Sequence, residues 1–408
     1  MSGSTGGNFG QPPGLDAGPS TLVTASPRRS SVGFTIFLAV AMFLGACAMA
    51  FVLLASGAPN ALVIGTVLAA LPLGPLIACF MWLDRYEPEP RALILSALGW
   101  GAVVATTIAF ILQVIDQVAF GTPEALSGSI IAPLTEEAAK GIFVVLLLFA
   151  RRHELDGILD GIVYAGMVGI GFAFTENILY LASAYMGGDD LGPGGLGAAT
   201  GTFVVRGIFS PFAHPFFTSL VGVGVGYAVL TRSRFWRVLA PILGYAAAVL
   251  AHALWNGSLF FGGGQFFVLA YVFAMVPAFL LFVGFAVWAR RREGQMLTRA
   301  LNDCAGRGFI GHHEVPWLVR LPARRASRRF AKENGGPEAL NAMREYQQQA
   351  IELGFLHDRY LRGTAPPDFA QRGQAMVDHL SALRPNVWFP QMPGRTFPNQ
   401  GVPLEGGQ

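Results

Sequence analysis

Between residues 32 and 289 the chain carries eight apolar runs: 32–56, 61–83, 92–118, 129–150, 157–186, 201–230, 237–261 and 266–289. A helix of about 20 predominantly apolar residues crosses the hydrocarbon core of a bilayer. Inside that core every backbone N–H and C=O must be paired within the protein, which leaves helices or closed barrels as the spanning structures. Uninterrupted apolar runs, without the alternation of barrel strands, select helices. The chain is 53% hydrophobic and only 13% charged, far from the balance of a soluble domain, where about 25% of residues are charged. The expected fold class is therefore all-α: a polytopic membrane helix bundle of about eight transmembrane helices.

Charge placement gives those helices a direction. The first, third and seventh gaps read "SGAPN", "GTPEALS" and "FGGGQ", the fifth is the Gly-rich "GGDDLGPGGLGAATG", and none contains Lys or Arg. The intervening gaps hold "DRYEPEPR", "RRHELDG" and "TRSRFWR", and "RRRE" follows the last run. Positive residues concentrate on the cytoplasmic side, so both termini are expected in the cytoplasm of a bacterial-type plasma membrane, with the chain multi-pass and the lipid bilayer its constant partner.

The flanks differ from the bundle. Residues 1–30 are rich in Gly, Ser and Pro and end in "PRRSS", a composition expected to be disordered. "LGAC", ending at Cys47, lies within an apolar run that continues past it, so the first run is expected to be an uncleaved anchor rather than a leader. From Arg290 onward there are 17 Arg/Lys against 11 Asp/Glu. "EVPWLVRLPARRASRRFAKEN" and "PEALNAMREYQQQAIELGFLHDRYLRG" are expected to be amphipathic helices separated at "GGP". The domain expectation is thus 1–30 disordered, 31–290 transmembrane, 291–385 an Arg-rich helical cytosolic region and 386–408 a disordered tail. "RRASRR" reads as a solvated face, with contact to anionic lipid the alternative; nucleic acid is not an expected partner. His312 and His313 read as a surface pair, and the three scattered cysteines form no metal or disulfide pattern.

Against this background the stretch "APLTEEAAKG" is anomalous. Glu136, Glu137 and Lys140 lie in an apolar run, and Lys332 is the only other lysine in the chain. Each such charge near a membrane helix centre costs about 2.5–3.5 kcal/mol on insertion scales. The remaining strong polar groups are Glu176 and Asn177 on the fifth span, Arg206 and His214 on the sixth, and His252 and Asn256 on the seventh. At 1.5 Å per residue, Glu136, Glu176, His214 and His252 fall roughly 12, 15, 20 and 14 Å below the outer boundary, one layer of the outer half. The i,i+3 and i,i+4 spacings put Lys140 beside both glutamates and put His252 and Asn256 on one face. Pro211 and Pro215 bracket His214 and should interrupt the sixth helix.

Two function classes use such a layer. A hydrolase would take a carboxylate as general base, histidines to bind a metal or polarise a carbonyl, and an amide to hold the oxyanion. A Glu/His set suits Zn2+ with one open position. A proton- or ion-coupled transporter would use the same groups as a path. The polar spans four to seven have no counterpart in spans one to three, whereas many transporters carry internal repeats, and this favours hydrolysis.

"APLTEEAAKG" (132–141), "GFAFTENILY" (171–180), "RGIFSPFAHPFFTSLVGVGVGYA" (206–228) and "AHALWN" (251–256) resemble, in order, the motifs of the PrsW family of intramembrane proteases, and "LDRYEPEPR" (83–91) adds to the likeness. The resemblance covers roughly residues 80–290. It implies a peptidase with Glu136 and Glu137 as catalytic carboxylates and Glu176, His214 and His252 as further site residues. It also implies a membrane-anchored protein substrate, such as an anti-sigma-factor-like regulator. PrsW proteins are similar to the CAAX-prenyl protease and bacteriocin-processing group, whose motifs are EExxxR, FxxxH and HxxxN. Here Lys140 stands one position before the arginine of that group, and Glu176 takes the histidine's place. Asn256 matches the final amide and implies an oxyanion role. Two mechanisms follow from the likeness. In one, Glu176, His214 and His252 hold Zn2+ while Glu136 or Glu137 is the base. In the other, Glu136 activates a histidine-held water without metal. In both, Lys140 modulates which glutamate is ionised.

Overall fold

The computed structural model describes residues 32–55, 57–188, 192–261 and 263–390. The expected disorder of 1–30 lies outside them, as does that of 391–408. Among the described residues there is no strand; the ordered elements are helices, as a chain confined to lipid requires. Among the described residues, seven helices are long and apolar enough to cross a membrane: α1 Val32–Ala55, α2 Pro59–Leu83, α3 Arg91–Phe120, α5 Ile158–Met186, α6 Leu196–Leu230, α7 Arg234–Phe260 and α8 Gly264–Gly306. Between α3 and α5 runs α4, Ala132–Ala150, 19 residues long. It differs from the seven by its three charges, Glu136, Glu137 and Lys140, all buried. The bundle is the expected all-α polytopic one, with the polar helix fourth in order.

Helix α5 is the axis. Of its most apolar stretch 83% is buried, against 17% for α1 and 11% for α2. Apolar tails of lipid solvate Leu or Phe as well as a protein core does, so close packing of small residues rather than hydrophobic burial decides which helices meet. Gly169 of α5 shows how. A Cβ there would stand 2.7 Å from the His214 carbonyl oxygen and 2.7 Å from Pro215 Cα, so only hydrogen at this position lets α6 bring His214 against α5. A second junction is polar: Trp100 Nε1 of α3 donates to the Ala139 carbonyl of α4 at 3.0 Å, one residue before Lys140.

Helix α6 is interrupted where its prolines predicted. Residues Val204–Phe209 wind in a wide turn, Ser210–Phe212 break the helix, and a regular helix restarts at Ala213. Pro215 then sits in the first turn, where its missing N–H costs nothing. His214 thus projects from a helix start. The loop from α3 to α4 is tied down by Asp116, whose carboxylate accepts from Thr122 Oγ1 at 2.6 Å and Ser127 Oγ at 2.7 Å.

The chain divides into two compact units between Arg292 and Glu293. In the second unit, Val315–Val319, Leu321–Leu361 and Phe369–Leu383 are helical. The long segment turns sharply at Gly336 (φ +69°), followed by Pro337, so "GGP" separates two helices as its composition requires. Glu314 and Tyr346 are buried in this unit and meet the partly exposed Arg384, with Arg384 Nη2 2.8 Å from Glu314 Oε1 and Tyr346 donating to Glu314. His312 and His313 lie exposed in a turn.

At the α2–α3 junction the segment 84–90 folds over three carboxylates. Asp84 Oδ2 accepts the Glu89 backbone N–H at 2.7 Å, and Tyr164 of α5 donates to Glu89 Oε2 at 2.7 Å. Asp160 accepts the Asp156 and Gly157 N–H groups, both at 2.8 Å, capping α5. Carboxylate oxygens of Asp84, Glu89 and Asp160 lie within 4.8 Å of one another. Burial pushes the Asp84 carboxyl up to about 8 from 3.8, the Glu89 N–H opposing it and the Asp160 carboxylate adding to it. Glu89 is raised well above its ordinary value, by burial first and by Asp160 and Asp84 next. An acid whose folded pKa is raised binds its proton longer in the folded state. Its contribution to stability is therefore intact below about pH 4 and is lost as pH rises towards about 8. Thermal unfolding in detergent is expected to show a melting temperature that falls across this window, with a shallower fall in Asp84→Asn; equal slopes in the two proteins would contradict this account.

Candidate active site

The site grows from one ammonium group. Lys140, fully buried, is 2.7 Å from Glu137 Oε1, 3.3 Å from Glu136 Oε2 and 3.1 Å from His214 Nδ1. An ammonium has three N–H donors and no acceptor. Three acceptors surround it, so each donor is used. Below it lies the Phe172 ring of α5, its centroid 3.8 Å from Nζ, a cation–π contact in a desolvated setting. The i,i+3 and i,i+4 spacings on α4 hold the two glutamates on one side of the lysine; α6 supplies the third acceptor.

Donor logic fixes both imidazoles. Because the Lys140 ammonium donates to His214 Nδ1, that nitrogen is the acceptor and the proton of a neutral ring sits on Nε2. Nε2 then donates to Glu176 Oε2 at 2.7 Å. A neutral His252 has the opposite tautomer. Its Nδ1 is 3.0 Å from Glu137 Oε1 and donates to that carboxylate, leaving Nε2 as the acceptor, 3.8 Å from Glu136 Oε2. The two rings stand edge to face, centroids 5.1 Å apart, and Phe217 stacks on His252 at 4.9 Å.

The two adjacent glutamates are therefore not equivalent. Glu137 is wholly inaccessible and spends Oε1 on Lys140 and His252 and Oε2 on Thr218 Oγ1 at 3.0 Å. Glu136 retains 4% exposure and receives Gln113 Nε2 on Oε1 at 3.1 Å. Its Oε2 faces His252 Nε2 at 3.8 Å, longer than a hydrogen bond, so a water that bonds to both sits beside the pair and not on the line between them. A carboxylate and an unprotonated imidazole nitrogen facing the same small gap are equipped to hold a water and accept its proton.

Glu136, Glu137, Lys140, Glu176, His214 and His252 come together as the depth argument expected. Asn256 lies on the same helix as His252, and one of its amide N–H groups donates to the Gly128 carbonyl at 2.9 Å. Gln113 and Thr218 carried no sequence signal beyond being polar in apolar spans, Gln113 on α3 and Thr218 one turn after His214. Tyr245, whose hydroxyl donates to the Leu134 carbonyl at 2.8 Å and so ties α7 to α4, carried none either.

For a metal, the donor atoms that lie together are those of Glu136, His214 and His252, all within 4.8 Å. Glu176, expected as a ligand, is instead engaged by His214 and by Arg206. One carboxylate and two imidazoles suit zinc in kind and number. The atoms themselves are committed, however: Glu136 Oε2 and His214 Nδ1 are acceptors of Lys140, and His214 Nε2 is bonded to Glu176. A divalent ion placed among them would meet the ammonium at contact distance, a like-charge pair in a dry interior. The folded arrangement fits the ammonium or a metal, not both.

A family model described as PrsW family intramembrane metalloprotease matches residues 89–282, a segment that includes every residue of this site. Protease PrsW of Geobacillus kaustophilus is 31% identical over 153 residues, 38% of this chain and 61% of that protein; the chain thus spans about three fifths of that relative. Protease PrsW of Bacillus subtilis is 27% identical over 183 residues, 45% of this chain and 75% of the relative. Protease PrsW of Shouchella clausii is 26% identical over 241 residues, 57% and 98% respectively. No solved structure matches the chain.

Removing Lys140 strips three buried acceptors of their donor. Breaking a buried ion pair by deleting one partner costs about 3–5 kcal/mol, so Lys140→Met is expected to lose stability on that scale by thermal or denaturant unfolding in detergent. A loss below about 1 kcal/mol, the range of an exposed pair, would show that the ammonium does not hold the glutamates in place.

Proposed function

Taking residues 89–282 as a domain of the PrsW family, we propose that this protein is an intramembrane endopeptidase that cleaves a membrane-anchored protein with Glu136 as its general base. The observation that carries the reading is the inequivalence of the paired glutamates: Glu137 is saturated, while Glu136 Oε2 faces the acceptor nitrogen of His252 at 3.8 Å. A water beside the pair donates one hydrogen to each. As the water oxygen attacks the scissile carbonyl carbon, Glu136 takes its proton, and the oxyanion forms as the C=O bond opens. Protonated Glu136 then delivers that proton to the departing amine as the C–N bond breaks, which regenerates the carboxylate. Glu137 acts through His252, holding Nδ1–H so that Nε2 stays the acceptor, as a buried carboxylate orients a catalytic histidine. Asn256, with one N–H on Gly128, offers its second to the oxyanion. Lys140 balances both carboxylates throughout. No step here requires a metal.

Charge placement along the sequence puts both termini in the cytoplasm and the site in the outer half of the membrane. The substrate class this supports is a single-span protein cut towards its extracytoplasmic end, a regulator of the anti-sigma type being the form that the family likeness implies.

The test is cleavage of single-span reporter polypeptides co-reconstituted with the full chain in liposomes. Loss of a general base typically costs about 10²–10⁴ in rate, so Glu136→Gln should fall by that factor while eluting and melting as a folded protein. Full activity in that variant would remove Glu136 from the mechanism. Ion-gradient dissipation by a wild type that cleaves no reporter would replace the protease with a transporter.

A further inference from the structure

Arg206, together with the Glu176 carboxylate it pairs, is charged, lies near this site and is left unused by the mechanism. It lies in the wide turn Val204–Phe209, eight residues before His214. The turn closes with Ser210, whose N–H and hydroxyl both donate to the Val205 carbonyl, at 3.0 and 2.8 Å. Such a turn carries an extra residue relative to an α-helix, and each residue is worth about 100° of rotation. The insertion therefore sets which way Arg206 points. It points at α5: Nη2 donates to Glu176 Oε2, Nε donates to Asn177 Oδ1 at 2.7 Å, and the guanidinium lies 3.9 Å over the Tyr180 ring. Three consecutive contacts on one helix, made by a rigid planar fork, leave little freedom.

The same Glu176 oxygen that receives Arg206 also receives His214 Nε2. His214 Nδ1 in turn receives Lys140, which holds Glu136 and Glu137. The charges thus alternate along a line from the edge of the site to its centre: guanidinium, carboxylate, neutral imidazole, ammonium, paired carboxylates. The side chain of Arg206 is 18% exposed and that of Glu176 15%, against none for Lys140, so the line begins where the site is most open.

We propose that Arg206 is a positioning residue of the catalytic centre. Acting through Glu176, it fixes His214 in the tautomer with its proton on Nε2 and Nδ1 free to accept from Lys140. Without Arg206 the Glu176 carboxylate has lost the hydrogen bond from Nη2 and its counter-charge. His214 can then turn or change tautomer, and a ring with its proton on Nδ1 presents that proton to the ammonium instead of a lone pair. Lys140 loses one of three acceptors and its hold on Glu136 loosens. Arg206 touches neither substrate nor water; its effect on cleavage is indirect. The inference rests on the proteolytic reading for its consequence, though not for its test.

The test is ¹⁵N NMR of the full chain labelled at histidine, in detergent micelles, with His214 signals assigned by their absence in His214→Gln. The two ring nitrogens are distinguishable, so the spectrum reads the tautomer directly. The wild type is expected to show one His214 species protonated at Nε2. Arg206→Met should lose that single species, giving a mixture or the Nδ1-protonated form, while His252, held by Glu137, is unmoved. Arg206→Lys keeps the charge and should restore most of it; it also stands in if Arg206→Met does not fold, compared then with Arg206→Gln. A purely structural arginine would lower the melting temperature and leave the His214 tautomer as it was, and that result overturns the proposal. On any reporter the wild type cleaves, Arg206→Met should lower kcat by about 10–100-fold, the usual cost of losing a group that orients a site residue, with KM unchanged. A raised KM at constant kcat would make Arg206 a substrate-binding group instead. If no reporter is cleaved, the protease reading fails while the NMR result still decides the role of Arg206.

Discussion

One buried ammonium organises this bundle. Lys140 is the only lysine in the membrane unit, and its three N–H groups are shared among two carboxylates of its own helix and one imidazole of α6. Neither glutamate would be tolerable at this depth alone, and two adjacent ones repel. With the lysine between them the pair becomes a net single negative charge, which His252, Thr218 and Gln113 then solvate. The arrangement costs desolvation energy that a hydrophobic replacement would not. In spans that hold few other charges, chiefly Glu176 and Arg206, so costly an arrangement supports the proposal that it serves chemistry and not stability.

With both rings neutral, the tautomers follow from that donor and the carboxylates around it. Lys140 makes His214 Nδ1 an acceptor, which makes Nε2 a donor to Glu176. Glu137, already held by Lys140, makes His252 Nδ1 a donor and its Nε2 an acceptor. The outcome is asymmetry: of two sequence-adjacent glutamates, one is locked into orientation and the other faces a gap. On the proposed mechanism, one base and one orienting carboxylate both come from a Glu-Glu dipeptide because the helix turns them towards different neighbours.

Much of this was legible in the sequence. Apolar runs marked the helices to within about five residues, except that the eighth continues as helix to Gly306, and the interval between charged loops placed Glu136, Glu176, His214 and His252 at a common depth. The prolines around His214 announced a break in α6, and "GGP" announced the turn at Gly336. What was not legible depends on helix rotation and local winding. Depth says that Glu176 and His214 share a layer, but not that Glu176 turns towards Arg206, since that requires the wide turn at Val204–Phe209. Gln113 looked like an isolated polar residue because its partner lies on another helix, 23 residues on. The i,i+4 spacing put Asn256 on one face with His252. Spacing fixes the face, not which carbonyl lies opposite, and Gly128 is held there by a loop that Asp116 ties down.

The sharpest consequence concerns the cation at the centre. The matched family carries the description metalloprotease, and three suitable donors do converge, yet their atoms are those that Lys140 holds. The most direct measurement is elemental analysis of the full chain purified in detergent, with reporter cleavage followed before and after chelation. The account predicts cleavage by protein lacking stoichiometric metal and no loss on chelation. One zinc per chain, removed together with activity by chelator and absent from a His214→Ala/His252→Ala variant, would contradict it.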